Sequence, residues 1–233
     1  MAYSKLNIIA PDVNRSFNGN GINYAAPSSI KANTDMLNAV LLQYSDIINV
    51  WGKEFSLPNY VVAAFICTES SGNNVPKNAF GAIGLMQITA ETVYEIITKW
   101  DNKVDVPLSQ ITMAVLSKYI PGWRKWDANK KFTSSDERAI ESALKNPDFN
   151  IAMGCANIRW LLEAFSMFGE GRLNKTMVAY NKGYYAAKDK LSGNLTTQQI
   201  LAIKGLGVEP KGYLLKMLGV YGFLDLWFRS IKK

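Results

Sequence analysis

The sequence contains no histidine among its 233 residues, and this absence excludes several kinds of catalysis. Ser-His-Asp and Cys-His arrangements cannot be assembled, because imidazole is the general base in both. Zinc hydrolases that bind their metal through imidazole are disfavoured for the same reason. Cleavage of a glycosidic bond by carboxyl groups remains open, since that chemistry needs neither histidine nor a metal.

Cysteine is scarce as well, with only Cys67 and Cys155 in the chain. Both lie in apolar stretches with helical spacing, where a free thiol behaves as a small hydrophobic side chain. We therefore expect two buried thiols rather than a disulfide, and their spacing matches no metal-binding motif. Cys67 has no histidine or basic neighbour in the sequence to activate it, which disfavours a nucleophilic role.

The chain also lacks the usual signals for export and membrane insertion. Residues 1–33 contain no basic segment followed by an apolar run and a cleavage site, so we expect no secretory signal peptide. No apolar stretch is long and uncharged enough to span a bilayer. Residues 1–33 are rich in Asn, Ser and Gly, which predicts an extended or mobile arm, with a docking peptide as the alternative. Residues 34–233 are expected to form one domain, whose first helix Thr34 caps.

Acidic residues are outnumbered, because the chain has 26 Lys and Arg against 19 Asp and Glu, a net charge of +7. Such an excess suits an anionic partner, whether nucleic acid, a membrane surface or an acidic cell-wall polymer. A solubilising surface explains the excess as well, so charge alone does not choose among these classes. The hydrophobic fraction of 48% allows a substantial core and excludes disorder throughout.

The most informative stretch is the predicted helix that ends near Glu69. Pro58 suits the first turn of this helix, and Ser56 is placed to cap it. Glu69 follows a stripe of apolar residues at helical spacing: Val61, Val62, Ala64, Phe65 and Ile66. A carboxyl group at the buried C-terminal end of a helix loses water and faces the negative end of the dipole. Both effects raise its pKa, as a general acid near neutral pH requires.

The residues after Glu69 leave the helix and form a polar, glycine-rich segment. Residues 70–74, Ser-Ser-Gly-Asn-Asn, cannot extend the helix. Gly81 and Gly84 then allow the backbone to approach a neighbouring group closely. Gln87 is a polar amide within an apolar run, which predicts a hydrogen bond to the turn or to a ligand.

Four sequence elements occur in a specific order along the chain. They are Glu69-Ser70 followed by GAIGLMQ at 81–87, Asn150-Ile151 with Gly154, Ala179-Tyr180-Asn181 with Gly183, and Glu209 with Tyr213. In this order they resemble the catalytic domain of the soluble lytic transglycosylases, a goose-type-lysozyme-like family that cleaves bacterial peptidoglycan. The resemblance covers residues 45–220.

The resemblance implies a mainly α, lysozyme-like fold with a small β-hairpin or irregular segment at GLMQ. It also implies that Glu69 is the catalytic residue and that neither a metal nor a cofactor takes part. The substrate-binding residues that it implies are Asn78, Gly81, Ala82, Met86, Gln87, Tyr180, Asn181, Glu209 and Tyr213. The chain departs from the family pattern at two positions, where Asn78 replaces a frequent serine and Lys211 replaces an arginine.

The chemistry that the resemblance implies uses Glu69 twice. Protonated Glu69 donates to the glycosidic oxygen between N-acetylmuramic acid and N-acetylglucosamine. No aspartate follows where a nucleophilic partner is expected, so the substrate's own acetamido group meets the charge at the anomeric carbon. Ionised Glu69 then acts as a base on the muramyl C6 hydroxyl, which closes a 1,6-anhydro ring without water.

Residues 101–147 are longer than the family's usual connection between its glutamine and its next helix, which predicts a helical insertion. Residues 111–120 and 135–144 are its candidate helices. The loop between them interleaves aromatic and basic residues: Trp123, Arg124, Lys125, Trp126, Lys130 and Lys131. These side chains either bind sugar faces or an acidic polymer, or pack the insertion onto the main domain. Their composition also resembles that of single-stranded nucleic-acid platforms.

Three alternatives to the transglycosylase hypothesis stay open at this point. A goose-type lysozyme uses water in place of the C6 hydroxyl, and a non-catalytic glycan-binding structural protein uses the same fold without chemistry. A nucleic-acid-binding protein is suggested only by the net charge and the Trp/Lys loop. We expect peptidoglycan glycan strands as the partner, and no nucleic acid.

A cell-wall enzyme without an export signal needs another route to its substrate. A bacteriophage particle supplies one, so we expect the protein in a phage virion or delivered to the host periplasm or cell wall. The N-terminal arm would then contact other phage structural proteins. Holin-assisted release as an endolysin is the competing route.

Overall fold

The computed structural model describes residues 27–99, 110–126 and 129–231. This part of the chain is mainly helical, as the sequence predicts. Its α-helices are α1 (Pro27–Gln43), α2 (Ser45–Glu54), α3 (Asn59–Ser70), α4 (Ala90–Lys99), α5 (Gln110–Tyr119), α6 (Ser134–Leu144), α7 (Pro147–Ala164), α8 (Arg172–Lys182), α9 (Tyr184–Ala187), α10 (Thr197–Ala202), α11 (Val208–Leu218) and α12 (Phe223–Ser230). Short 3-10 helices span Trp123–Lys125 and Ser166–Gly171. Within the described ranges, no helix has both the length and the apolar composition for crossing a membrane.

Helix α1 begins earlier than the sequence predicts. It starts at Pro27, so residues 27–33 are helical rather than part of an extended arm. Thr34 does not cap this helix, because its hydroxyl lies inside it and donates to the carbonyl of Ile30 at 2.8 Å. Proline is well suited to a first helical turn, since its missing N–H has no intrahelical partner there. The rest of the predicted arm, residues 1–26, lies outside the described residues.

Helix α3 lies at the centre of the fold and packs against α1, α2, α11 and α12. Residues 61–67 are all fully buried, so the helix is enclosed on every side rather than along one stripe. The predicted cap at Ser56 is wrong, because Ser56 has a positive φ of 52° and α3 has no side-chain cap. The carbonyl of Pro58 instead accepts the amides of Val61 and Val62 at 2.9 and 3.2 Å.

Helix α7 is the second buried helix of the domain. It begins with Pro147, and the side chain of Asn146 caps it by accepting the amide of Asp148 at 2.9 Å. Cys155 on α7 and Cys67 on α3 are both buried and free, which confirms the expected thiols. Burial raises the pKa of both thiols, to about 12 for Cys67, so neither is a ready nucleophile.

A two-stranded antiparallel hairpin follows α3, as the resemblance implies. Strand β1 (Ala82–Ile83) pairs with β2 (Ile88–Thr89), with Ala82 opposite Thr89 and Ile83 opposite Ile88. The turn between them contains Gly84 at φ +78°, and a Cβ there would lie 2.2 Å from Nδ2 of Asn150. Glycine at this position therefore lets the hairpin lie directly against α7.

The insertion between α4 and α7 contains two helices, α5 and α6, close to the predicted ranges. Thr133 and Asp136 form a capping box at the start of α6, which fixes where this helix begins. Helix α6 packs against α4 and α7. Residues 101–109 and 127–128 of the predicted insertion lie outside the described residues.

Candidate active site

Glu69 lies in the last turn of α3, where the helix leaves the core. Its neighbours Cys67 and Ser70 are buried, whereas Glu69 is partly exposed. Ser71 adopts the left-handed conformation and ends the helix, with φ 56°. The carboxyl group therefore lies between a dry interior and solvent, at the negative end of the helix dipole.

Tyr213 is the direct hydrogen-bond partner of Glu69. Its hydroxyl donates to Oε1 of Glu69 at 2.8 Å, and helix α11 carries it there across 144 positions of sequence. Tyr213 is buried, and burial together with the nearby Glu69 charge raises the pKa of its hydroxyl well above the usual value. The hydroxyl thus stays protonated and is a permanent donor to the carboxyl group.

The proton affinity of Glu69 is set by opposing effects. Burial raises the pKa of its carboxyl group to about 7. The hydrogen bond from Tyr213 and the positive charge of Lys216 act against burial, while the negative charge of Glu209 adds to it. At neutral pH both the protonated and the ionised forms are populated, so the group can donate a proton and accept one.

Lys216 lies close to Glu69 and is not among the residues that the sequence predicts for the site. Its ammonium donates to the carbonyl of Thr68 at 3.0 Å, one residue before Glu69. Met217 accepts the Thr68 hydroxyl at 2.9 Å, so one face of α11 holds the last turn of α3. The available signal was spacing, because Lys216 lies three residues after Tyr213 and hence on the same face of a helix.

Tyr180, on α8, joins the hairpin to the region around Glu69. Its hydroxyl donates to the carbonyl of Met86 at 2.9 Å, and its ring packs against Phe65 with the centroids 4.9 Å apart. Burial and the charge of Glu69 raise the pKa of Tyr180 well above its usual value. Tyr180 therefore positions the turn of the hairpin, and its hydroxyl is directed to the backbone rather than to the acid.

The amides of Asn78 and Gln87 hold the hairpin together. Oδ1 of Asn78 accepts the backbone amides of Phe80 and Ala82 at 2.8 and 3.1 Å, and its Nδ2 donates to Oε1 of Gln87 at 3.1 Å. Nε2 of Gln87 donates to the carbonyl of Gly84 at 2.9 Å. The hydrogen bond from Gln87 to the turn, one of the two predicted options, is thus present, and both amides remain partly accessible.

The other expected binding residues fall into two groups. Ala82 and Met86 are buried within the hairpin, and their backbone groups bond to Asn78, Asn150 and Tyr180, whereas Gly81 is partly exposed. Asn181 and Glu209 form a second pair, in which Nδ2 of Asn181 donates to Oε1 of Glu209 at 3.3 Å. This bond joins the C-terminal turn of α8 to the first turn of α11.

Asn150 supports the site from within the core, beyond the packing role that the sequence suggests for its helix. It is fully buried on α7, and its Nδ2 donates to the carbonyls of Ile83 and Leu144 at 2.9 and 3.0 Å. Its Oδ1 accepts the amide of Met86 at 2.8 Å. One side chain therefore fixes the turn of the hairpin to α7.

The tryptophans of the insertion pack the insertion together, which favours the packing interpretation for their rings. Trp126 packs against Tyr94 of α4 with centroids 5.5 Å apart, and its Nε1 donates to Asp136 at 2.8 Å. Nε1 of Trp123 donates to the hydroxyl of Ser117 at 3.1 Å. Among the described residues, no group of three or more Cys, Asp or Glu side chains is placed to hold a metal ion.

Residues 46–122 match the model of the Transglycosylase SLT domain. The matched segment contains Glu69, the hairpin and α4, and extends into the insertion. Tyr180, Asn181, Glu209 and Tyr213 lie beyond the match, and the structure brings Tyr213 to Glu69 by folding. No curated protein matches the chain.

Proposed function

We propose that the protein is a lytic transglycosylase with Glu69 as its catalytic residue. Residues 46–122 match the transglycosylase SLT domain, and the family of this domain acts on peptidoglycan. The proposed bond is the β-1,4 linkage between N-acetylmuramic acid and N-acetylglucosamine. One observation carries the proposal: the partly buried carboxyl group of Glu69 has a pKa of about 7 and accepts a hydrogen bond from the hydroxyl of Tyr213. A group with this proton affinity is suited to both halves of the reaction.

The first step uses the protonated form of Glu69. The carboxyl group gives its proton to the glycosidic oxygen as the bond from that oxygen to the muramyl C1 breaks. The N-acetylglucosamine side leaves with a free 4-hydroxyl, and positive charge develops at C1. The acetamido oxygen of the muramyl residue bonds to C1 and carries that charge, which substitutes for a nucleophilic carboxylate.

The second step uses the ionised form of Glu69. The carboxylate takes the proton of the muramyl C6 hydroxyl while that oxygen bonds to C1 and the acetamido oxygen leaves. The product is a 1,6-anhydro ring, Glu69 is protonated again, and no water is consumed. Between the steps, the Tyr213 hydrogen bond and the Lys216 charge stabilise the carboxylate.

Other residues position the strand and the acid in this proposal. The exposed sides of Asn78 and Gln87, with the backbone from Gly81 to Met86, would line the sugar subsites next to Glu69. Asn181 and Glu209 would support the other side of the site. Tyr180 keeps the hairpin turn at its place through the Met86 carbonyl.

The test is product analysis on purified sacculi, with the Glu69→Gln variant as the control. Wild-type protein is expected to release muropeptides that end in 1,6-anhydro-N-acetylmuramic acid, detected by mass spectrometry. Glu69→Gln is expected to release none while keeping its circular dichroism spectrum. Absence of glycan products from the wild type would overturn the proposal and leave a non-catalytic glycan-binding protein.

Hydrolysis is the second candidate function, because Glu69 is partly exposed and water can therefore reach its carboxyl group. The ionised carboxylate would then activate water in place of the C6 hydroxyl, as a goose-type lysozyme does. Products that carry an added water and a reducing end would establish this alternative. The expected association with a phage virion or the host cell wall stays a proposal, which fractionation of phage particles and infected cells would test.

A further inference from the structure

A second concave surface lies in the insertion, and none of its lining residues belongs to the Glu69 site. We call it the insertion groove; it has a volume of about 670 Å³ and lies between α4, the end of α5 and α6. Its lining includes three aromatic residues and three lysines: Tyr94, Tyr119, Trp126, Lys125, Lys130 and Lys131. A volume of this size is typical of sites for small molecules or short stretches of a polymer.

The aromatic wall is fixed in place by contacts on its inner side. Tyr94 packs between Trp126 and Phe132, with centroid distances of 5.5 and 4.7 Å. The polar atoms of the rings are engaged as well, because the Tyr94 hydroxyl donates to the carbonyl of Lys130 at 3.2 Å and the Tyr119 hydroxyl to Asp148 at 3.3 Å. A wall that is already ordered loses little entropy when a ligand binds.

The charge along the groove favours an anion. Lys125, Lys130 and Lys131 are exposed at its rim, whereas Asp136 is the acidic residue among the described lining residues. Hydrogen bonds from Thr133 lower the pKa of the Asp136 carboxyl group, and its oxygens are used by Thr133 and Trp126. The lysines therefore outnumber the acid, and the acid faces its own capping box.

The groove and the loop after Glu69 lie on different sides of α6. Ser135, Ala139 and Ser142 face the groove, at spacings of four and three residues. Glu137 and Glu141, on another face of the same helix, form ion pairs with Lys77 of the loop that follows Glu69. The insertion is thus joined by ion pairs to the loop that follows Glu69, while its groove lies on another side of α6.

We propose that the insertion groove is a second, non-catalytic binding site for peptidoglycan, which holds a stretch of strand away from the bond that is cut. The carboxylates of the stem peptides would pair with Lys125 and Lys131, and the sugar rings would lie over the partly exposed rings of Tyr119 and Trp126, behind which Tyr94 is buried. The choice of this polymer rests on the proposed function. Nucleic acid is the other anionic polymer that exposed lysines attract, and the DNA arm of the binding experiment separates the two.

The experiment measures binding in the Glu69→Gln background, so that sacculi are not consumed. Two groove variants are compared by co-sedimentation with purified sacculi: the charge reversal Lys125→Glu with Lys131→Glu, and Ala139→Trp, which fills the groove at constant charge. Their matched controls are Lys53→Glu with Lys204→Glu, and Ala202→Trp, at exposed positions outside the groove. Melting temperatures confirm that all variants are folded.

Both groove variants are expected to weaken binding to sacculi about tenfold, whereas both controls bind like the parent. Equal losses in the groove and control charge variants would mean non-specific attraction and would overturn the proposal. Unchanged binding by either groove variant would also overturn it, as would a loss that appears with single-stranded DNA and not with sacculi. Binding is measured independently of cleavage. A wild type without activity would contradict the proposed function, whereas the binding data would still test the groove.

Discussion

The Glu69 site and the insertion groove differ in how far their charged groups are buried. In the first, one carboxyl group is dried and given a defined hydrogen-bond donor, and its pKa moves to about 7. In the second, three lysines lie exposed along a groove, whose acid, Asp136, is hydrogen-bonded by Thr133 and Trp126. Burial changes the free energy of ionising a single group by a large amount, whereas each exposed charge contributes little to binding free energy. Single substitutions should therefore have large effects in one region and small, cumulative effects in the other.

The largest effect is expected for Glu69→Gln. The amide keeps the shape of the side chain and can still accept from Tyr213, but it neither gives nor takes the proton. Clearing of a sacculus suspension should fall about 1000-fold or more, since both halves of the reaction lose their proton carrier. Retention of wild-type clearing by folded Glu69→Gln would place the chemistry elsewhere.

Tyr213→Phe should have the next largest effect. It removes a hydrogen bond to a charged group, worth about 1.5–3 kcal/mol, so turnover should fall about tenfold to hundredfold. This bond lowers the pKa of Glu69, and its loss should raise that pKa by about one to two units. The first step needs protonated Glu69, so the high-pH limb of the pH–rate profile should shift to higher pH. An unmoved limb would mean that the hydroxyl does not act on Glu69.

A pair of glycine substitutions compares the packing of the two regions. A Cβ at Gly154 would lie 2.2 Å from the sulfur of Met86, whereas a Cβ at Gly122, beside the insertion groove, would meet nothing within 4 Å. Gly154→Ala should destabilise the fold by about 1–3 kcal/mol and displace the hairpin. Gly122→Ala should change stability by less than about 0.5 kcal/mol. Urea unfolding measures both, and equal values would contradict the difference in packing.

The smallest effect on catalysis is expected for Lys216→Met, which removes a positive charge near Glu69 and the bond to the Thr68 carbonyl. The pKa of Glu69 should rise by less than about one unit, so the high-pH limb should again move upward, by less than in Tyr213→Phe. Lys216→Arg should restore the limb because it keeps the charge. Failure of arginine to restore it, with both variants equally stable, would assign Lys216 a packing role only.

Sequence reasoning reached the parts of the fold that depend on local pattern. The main helices follow from apolar spacing, and the raised pKa of Glu69 follows from its place at a buried helix end, whereas the hairpin was implied by the family resemblance, with an irregular segment as the alternative. It misplaced the start of α1 at residue 34, although Pro27 suits a first helical turn, and it placed a cap at Ser56, whose backbone has a positive φ of 52°. Element boundaries are the least reliable part of a sequence-based prediction.

The contacts that tune the site were harder to predict, because they join residues far apart in the chain. Lys216 reaches the carbonyl of Thr68 across 148 positions, and a backbone acceptor leaves no mark on the sequence. Asn150 holds the hairpin through backbone groups in the same way. Side chains that bind backbone are therefore the residues that sequence patterns miss most easily.

The central claim, that burial gives one carboxyl group a proton affinity near neutrality, is tested most directly by titration. The carboxyl carbons of glutamate, labelled with ¹³C, would be followed by NMR from acidic to basic pH in the wild type and in Glu69→Gln. One resonance, absent from the variant, should titrate with a pKa of about 7. A Glu69 resonance that titrates at the ordinary glutamate value would contradict the claim.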